Sequence, residues 1–262
     1  MRIDPEGSYF MPVSIPQRPI KAGVFEDVWF IAATYESDKD AMVALLPEPF
    51  EPADEPLVTV WYARCPQVNF LAGADYNMIG VDLATFFNGA KEQLSGNYSL
   101  VLWEDQWNPV LRGRDLLGVP KLMASVPDFT RESDNWRGEG RENGSLLLNV
   151  SVERTKARTV SQVAEANEAM KNDRWMGWKY IPNVDGKGAA VSHPTLIGRQ
   201  ITIAESWVGE GSISYGDING ETHPWSGDIV TALRTLEVKQ YRSGTVNHGS
   251  MTITRALNRV LA

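Results

Sequence analysis

The chain has 262 residues, 43% hydrophobic and 22% charged, a composition that suits one β-rich domain able to bury its own core without disulfides or structural metals. Its net charge of −8 offers no basic surface for phosphates, and no zinc-finger or RNA-binding signature occurs, so nucleic acid is not an expected partner. The single cysteine, Cys65, cannot pair within the chain, no run of about 18 apolar residues occurs, and residues 1–6 lack the basic start of a signal peptide; the expectation is a cytoplasmic protein with no membrane association.

Residues 1–23 carry Pro5, Pro12, Pro16 and Pro19 and are expected to form an extended arm, because proline removes a backbone donor and is excluded from helix interiors. Val24 to Thr34 reads as a strand. Ser37 then opens a short helix with Ala41, Met42, Leu45 and Leu46 on one face, stopped by Pro47. Arg131 to Asn143 is polar enough for a hairpin excursion, and the turn pair Asn143-Gly144 leads into a period-2 run at Leu146, Leu148, Val150 and Val152. Thr159 and Gln162 have capping-box spacing, with Val163, Ala166 and Met170 recurring at helical intervals behind them. After the Asp185-Gly186 turn, Ile201, Ile203, Glu205 and Trp207 form a second period-2 run, which predicts that Glu205 points inward with its neighbours. Many strands, few helices and no repeat or linker predict an antiparallel sheet or barrel forming a single domain over 1–262.

Metal and nucleotide chemistry find no support in the pattern. His193, His223 and His248 are far apart in no ligand spacing, and Gly209-Glu210-Gly211 lacks the third glycine and the strand-to-helix context of a dinucleotide fingerprint. Neither a metal nor a nucleotide cofactor is expected. The segment from Arg112 to Ala124 differs, because it sets Lys121 among Leu117, Val119, Leu122 and Met123. At an ordinary pKa of about 10.4, roughly one lysine in a few thousand is neutral at pH 7, and only the neutral amine is a nucleophile. Desolvation shifts that balance toward the neutral form. The same local pattern also fits a surface lysine whose stem snorkels beside a turn.

Gly113-Arg114-Asp115 followed by Pro120-Lys121 resembles the acetoacetate decarboxylase family, whose Schiff-base lysine follows a Gly-Arg-acid stretch and a proline. Further landmarks occur in family order: Pro47-Glu48-Pro49, Asp54-Glu55-Pro56-Leu57-Val58, Phe87-Asn88-Gly89, Ile181-Pro182-Asn183, Glu205 with Trp207-Val208-Gly209, and Val238-Lys239. The resemblance implies an α+β fold, mainly antiparallel β closed into a barrel-like cone with few short helices, and a homo-oligomer of four or more chains. It also implies Lys121 inside the cone as the catalytic residue, forming a covalent Schiff base with a keto acid and needing no other cofactor. Four positions depart from the decarboxylase branch: Glu36, Trp61 and Met78 stand where that branch has an arginine and two glutamates, and Leu122 replaces a second lysine.

With those departures, the resemblance implies an aldolase-dehydratase that condenses pyruvate with an aromatic or otherwise apolar aldehyde. Decarboxylation of another β-keto acid and noncatalytic keto-acid binding are the alternatives. The candidate substrate-binding residues are Arg114, Glu36, Trp61, Met78 and Glu205. Arg114 either anchors a carboxylate or braces the lysine loop, Glu36 is a base or a solvated residue, and Glu205 is a pocket acid or a structural hydrogen-bond partner.

Overall fold

Alternating and continuous apolar runs become strand along most of the chain. The computed structural model describes residues 3, 4, 7, 9–14 and 22–262, so most of the arm expected over 1–23 lies outside the described residues. The strands are β1 (Ala22–Glu36), β2 (Phe50–Pro52), β3 (Leu57–Cys65), β4 (Tyr76–Asn88), β5 (Gln93–Glu104), β6 (Lys121–Met123), β7 (Thr130–Glu132), β8 (Asn135–Glu142), β9 (Ser145–Ala157), β10 (Trp175–Pro182), β11 (Ala189–Ile197), β12 (Arg199–Tyr215), β13 (Gln240–Thr254) and β14 (Arg259–Val260). The helices are α1 (Lys39–Val43), α2 (Trp107–Arg112), α3 (Val160–Met170) and α4 (Gly227–Leu233).

All fourteen strands belong to one sheet, ordered β14-β11-β10-β5-β4-β3-β1-β13-β12-β9-β8-β7, with β2 added to β4 and β6 to β5. Pairing is antiparallel except where β10 and β6 each join β5 in parallel. The cone is curled rather than closed. Its edges, β14 and β7, span two and three residues and do not pair with each other, so strand twist brings the ends round without sealing a barrel. No helix of the described residues is long and apolar enough to cross a membrane.

Two features tie the curl together. The alternating apolar run on β9 does bury Leu148, Val150 and Val152, and the polar hairpin of β7 and β8 folds over β3 and β4. That approach needs bare backbone: a Cβ on Gly138 of β8 would lie 2.3 Å from Cγ of Tyr62 on β3. The two predicted helices are present, with one shifted cap. Thr159 and Gln162 form the reciprocal capping box of α3, while α1 is capped by Asp38, whose carboxylate accepts the Asp40 and Ala41 N–H groups, and not by Ser37. Ser37 is instead buried, its N–H bonded to the Pro56 carbonyl.

The buried apolar residues fall into two clusters. The larger runs through the interior of the curl around Tyr35, Tyr62, Trp103, Trp136 and Leu147. The smaller comprises Phe25, Val28, Trp61, Tyr76, Met78, Leu102, Val119 and their neighbours, and it surrounds the start of β6. Because the Gly138 contact allows no added methyl without moving Tyr62, Gly138→Ala should lower the unfolding free energy by about 1–3 kcal/mol, measured by chemical denaturation. A change well below that range would mean the hairpin is not held flat against β3.

Candidate active site

The chain enters the site through a turn that the sequence pattern does not reveal. After α2, residues Gly113–Leu117 form a π-helical turn, a local irregularity frequent at functional sites. Gly118 ends it in the left-handed region at φ 73°, Val119 N–H bonds back to the Gly113 carbonyl at 3.2 Å, and Pro120 delivers the chain into β6. Lys121 is therefore the first residue of a parallel strand, in register with Leu102 of β5.

Glu104 lies two residues beyond Leu102 on β5, hence on the same face, and it meets the lysine directly. Lys121 Nζ donates to Glu104 Oε1 at 2.6 Å, with both side chains buried, the carboxylate completely. The second oxygen, Glu104 Oε2, is buried with no hydrogen-bond partner among the described residues. Burial pushes the Glu104 carboxyl above its ordinary value of 4.5, the Lys121 ammonium opposes that shift, and Asp105 adds to it. Such a carboxyl can hold a proton that its neighbouring amine releases.

Gly113 gives the lysine its path. A Cβ there would fall 2.4 Å from Lys121 Cδ and 3.0 Å from Nζ, so the lysine stem lies directly over the glycine backbone. Arg114, exposed, donates from Nη1 to the Lys121 carbonyl at 2.8 Å and lines a separate surface depression with Leu122 and Ile229. Of the two roles open for it, the geometry matches the brace and not the anchor.

Lys121 also lines a cavity of about 80 Å³ that opens to solvent. Phe25, Phe70, Tyr76, Leu116 and Leu117 supply its apolar walls, and Arg112 and Arg255 supply its charge. The Tyr76 ring packs against Phe25 and Phe70 with centroids 6.0 and 6.3 Å away, and burial followed by the nearby Glu104 charge keeps its phenol protonated well above the ordinary value. Cys65, in register with Tyr76, is buried too, and burial pushes its thiol up.

The other sequence candidates are distributed unevenly. Met78 is the cross-strand partner of Glu104 and Trp61 packs in the same small cluster, so both help to dry the pair, although neither lines the open cavity. Glu36 is not brought to Lys121. It pairs with Arg242 at the opposite end of β1 from the cavity residue Phe25, eleven positions and roughly 35 Å of strand away. Glu205 does not point inward either: a bulge between Ile203 and Glu205 breaks the alternation, and the exposed carboxylate lies 3.6 Å from His248 Nδ1. Missed by the sequence reading were Glu104, Tyr76, Arg112 and Arg255. For Glu104 a signal exists, an acid closing the apolar run Leu100-Val101-Leu102-Trp103; for Arg255 none does, since β13 brings it from the far end of the chain.

Comparison with known proteins agrees with the landmarks. The acetoacetate decarboxylase family model matches residues 10–259. The acetoacetate decarboxylase of Paraburkholderia xenovorans is 26% identical over 235 residues, covering 90% of this chain and 86% of the relative. In structure the chain is similar to acetoacetate decarboxylase from Legionella pneumophila, with a TM-score of 0.76 at 21% identity over 96% of this chain and 93% of that one. It is also similar to the enduracididine biosynthesis enzyme MppR complexed with the condensation product of pyruvate and imidazole 4-carboxaldehyde, with a TM-score of 0.72 at 16% identity over 100% and 98% of the chains.

Two predictions follow from the pair and its glycine. Gly113→Ala should leave the circular dichroism spectrum native while slowing carbonyl adduct formation at Lys121 at least tenfold, toward the roughly hundredfold loss that a 1 Å misplacement can cause. An unaffected adduct rate would show that the stem has another path. The second concerns pH. A carboxyl whose folded pKa is raised binds its proton more tightly in the native state, so its contribution to stability falls as pH rises above 4.5. Lys121→Met removes both lowering influences and should steepen that loss, by up to about 3–5 kcal/mol once the acid is ionised, whereas adding Glu104→Gln should flatten it. Denaturation midpoints from pH 4 upward, roughly to pH 9, test the pattern; parallel curves for the single and double variants would contradict it.

Proposed function

We propose, for a chain that belongs to the acetoacetate decarboxylase family, that Lys121 forms a Schiff base with a 2-keto acid and that Glu104 is the acid and base of the resulting reaction. The observation that carries this reading is the buried 2.6 Å contact between the lysine amine and a carboxyl whose pKa burial has raised, at the floor of a small cavity. Transfer of a proton from Nζ to Oε1 leaves a neutral amine beside a neutral acid. The amine attacks the ketone carbon, Glu104 returns its proton to the departing hydroxyl, and water leaves an iminium facing the Glu104 carboxylate.

From that point a pyruvate iminium has a methyl group whose proton Glu104 can remove, giving an enamine. Attack of the enamine carbon on an aldehyde forms the carbon–carbon bond and restores the iminium, the proton held by Glu104 passes to the new oxygen while the Tyr76 hydroxyl donates a hydrogen bond to it, and a second proton taken from the same carbon by Glu104 and given to the departing hydroxyl releases water, after which hydrolysis frees the unsaturated keto acid from Lys121. This favours the aldolase-dehydratase reading, because enamine formation from pyruvate requires a base and the site has one in contact with the lysine. The condensation product bound by MppR is consistent with the same chemistry on this fold. An engineered cavity of roughly 150 Å³ holds benzene. In about 80 Å³ the three-carbon acid fits, and an aldehyde ring would extend through the cavity's opening to solvent.

Decarboxylation of a β-keto acid is the second reading, supported by the names of the relatives and by the shared iminium, which is an electron sink for loss of carbon dioxide. A single assay series separates them. Borohydride with pyruvate should fix a stable adduct on Lys121, located by mass mapping; an adduct elsewhere, or none with any keto acid, removes the Schiff-base assignment. Pyruvate with an aldehyde panel should give a new conjugated product seen by ultraviolet absorbance, while acetoacetate should release carbon dioxide far below the 10 per second or so usual for enzymes. Fast release without aldol product would put the decarboxylase first.

A further inference from the structure

On the opposite face of β6 from the lysine side chain lies a second depression, of about 270 Å³, which the reaction proposed for Lys121 does not use. Leu45 after α1, Leu100 of β5, Leu122 of β6 and Ile229, Ala232 and Leu233 of α4 line it, and the remaining lining residues are apolar as well, with one exception. Arg114 is the groove's single charged residue. Its guanidinium is placed by a hydrogen bond: Nη1 donates at 2.8 Å to the Lys121 carbonyl, part of the peptide that Lys121 shares with the lining residue Leu122. That acceptor is neutral, and among the described residues the Arg114 side chain has no other hydrogen bond and no ion pair. Several N–H donors of the planar fork are therefore free beside an apolar trough.

We propose that this groove binds a monocarboxylate with an apolar tail, its acid group on Arg114 and its tail between β5, β6 and α4. Paired N–H groups on a guanidinium match the two oxygens of a carboxylate, which selects the head of the ligand. The trough selects the tail: its volume exceeds the roughly 150 Å³ in which benzene is held, so a ring or a short hydrocarbon chain fits. Pyruvate lacks the apolar part, and a neutral hydrocarbon leaves the guanidinium unused. With a ligand in place, one guanidinium holds both the acid and the peptide of the reactive lysine, so occupancy acts on Lys121 without the ligand entering the cavity. Binding stands on the groove alone, and only this coupling rests on the Schiff-base reading. An unsaturated keto acid with an aromatic end, the product class of the proposed reaction, has both required parts.

Cinnamate tests the groove separately from Schiff-base formation, because it has a carboxylate and a ring but no ketone, and cinnamamide is its neutral counterpart. Calorimetry on the wild-type protein should find cinnamate bound at least tenfold more tightly than cinnamamide and still bound when pyruvate is saturating. Arg114→Gln should bring the two probes within threefold of each other, and Ala232→Phe, which fills the trough from α4, should weaken cinnamate at least tenfold. Cinnamate bound no better than cinnamamide to the wild type overturns the proposal without any variant having to fold, and so does binding of neither, as when a second copy of the chain covers the groove. Displacement by pyruvate, which puts the probe in the Lys121 cavity, overturns it too, as does an unchanged affinity in folded Ala232→Phe. The coupling is read from the rate at which borohydride traps pyruvate on Lys121, which saturating cinnamate should change at least twofold in the wild type and not in Ala232→Phe. An unchanged wild-type rate removes the coupling; no adduct under any condition removes the Schiff-base reading and the coupling with it, while the calorimetry still decides the groove.

Discussion

The buried contact between Lys121 and Glu104 is the constraint around which the site is built. Breaking such a pair by removing one partner typically costs 3–5 kcal/mol, and well-packed apolar residues in its place are often at least as stable. A chain that folds around the pair therefore gains little stability from it, which accords with the proposed role of the pair in chemistry. Gly113 clears the space through which the lysine stem passes, the π-helical turn sets the angle, and Arg114 holds the Lys121 carbonyl. Met78, across the strand from Glu104, and the cluster containing Trp61, Leu102 and Val119 exclude water from the carboxylate. The Gly-Arg stretch that marks the family in the sequence thus has a physical content here: one residue makes room for the amine and the next fixes its backbone.

Much of the fold was legible because it depends on local pattern. The β9 alternation and the α3 capping box each appear where the spacing puts them, and the lysine was singled out by a motif confined to a dozen residues. What the pattern could not supply was geometry set by distant strands. Glu205 follows the alternation of its strand in sequence, but a single bulge on pairing with β13 turns it to solvent. Glu36 aligns with a pocket position, yet a fifteen-residue strand carries it to the far end of the curl and into a pair with Arg242. Closure failed for a similar reason, since edge strands of two and three residues cannot be weighed from composition. Arg255 reaches the cavity from the end of β13, so no spacing rule links it to Lys121.

Trp61 and Met78 are both buried in the apolar cluster beside the pair. Apolar groups at those positions leave Glu104 as the acid in contact with the lysine, and they deepen the desolvation that raises its pKa. On the proposed reading, acid–base function is gathered into one carboxyl, directly on the nitrogen that changes charge. A base so placed is limited to protons within about 3 Å of it, which are those of the amine, the carbinolamine hydroxyl and the group attached to the iminium carbon.

That limit bears on which reaction the pocket suits. On the proposed aldol route the site alternates between two electrically neutral arrangements: a neutral amine or enamine beside a protonated Glu104, and an iminium beside its carboxylate. Each proton Glu104 takes coincides with loss of the positive charge it faced, so at no stage does the buried carboxylate stand alone. Decarboxylation breaks this pairing. Departure of carbon dioxide neutralises the iminium while Glu104 stays ionised in the dry interior. An isolated buried carboxylate is disfavoured by several kcal/mol, so this step would have to be accompanied by a proton from elsewhere. The electrostatics of the pair therefore favour a reaction in which the carbon acid itself protonates Glu104, as the methyl group of a pyruvate iminium does.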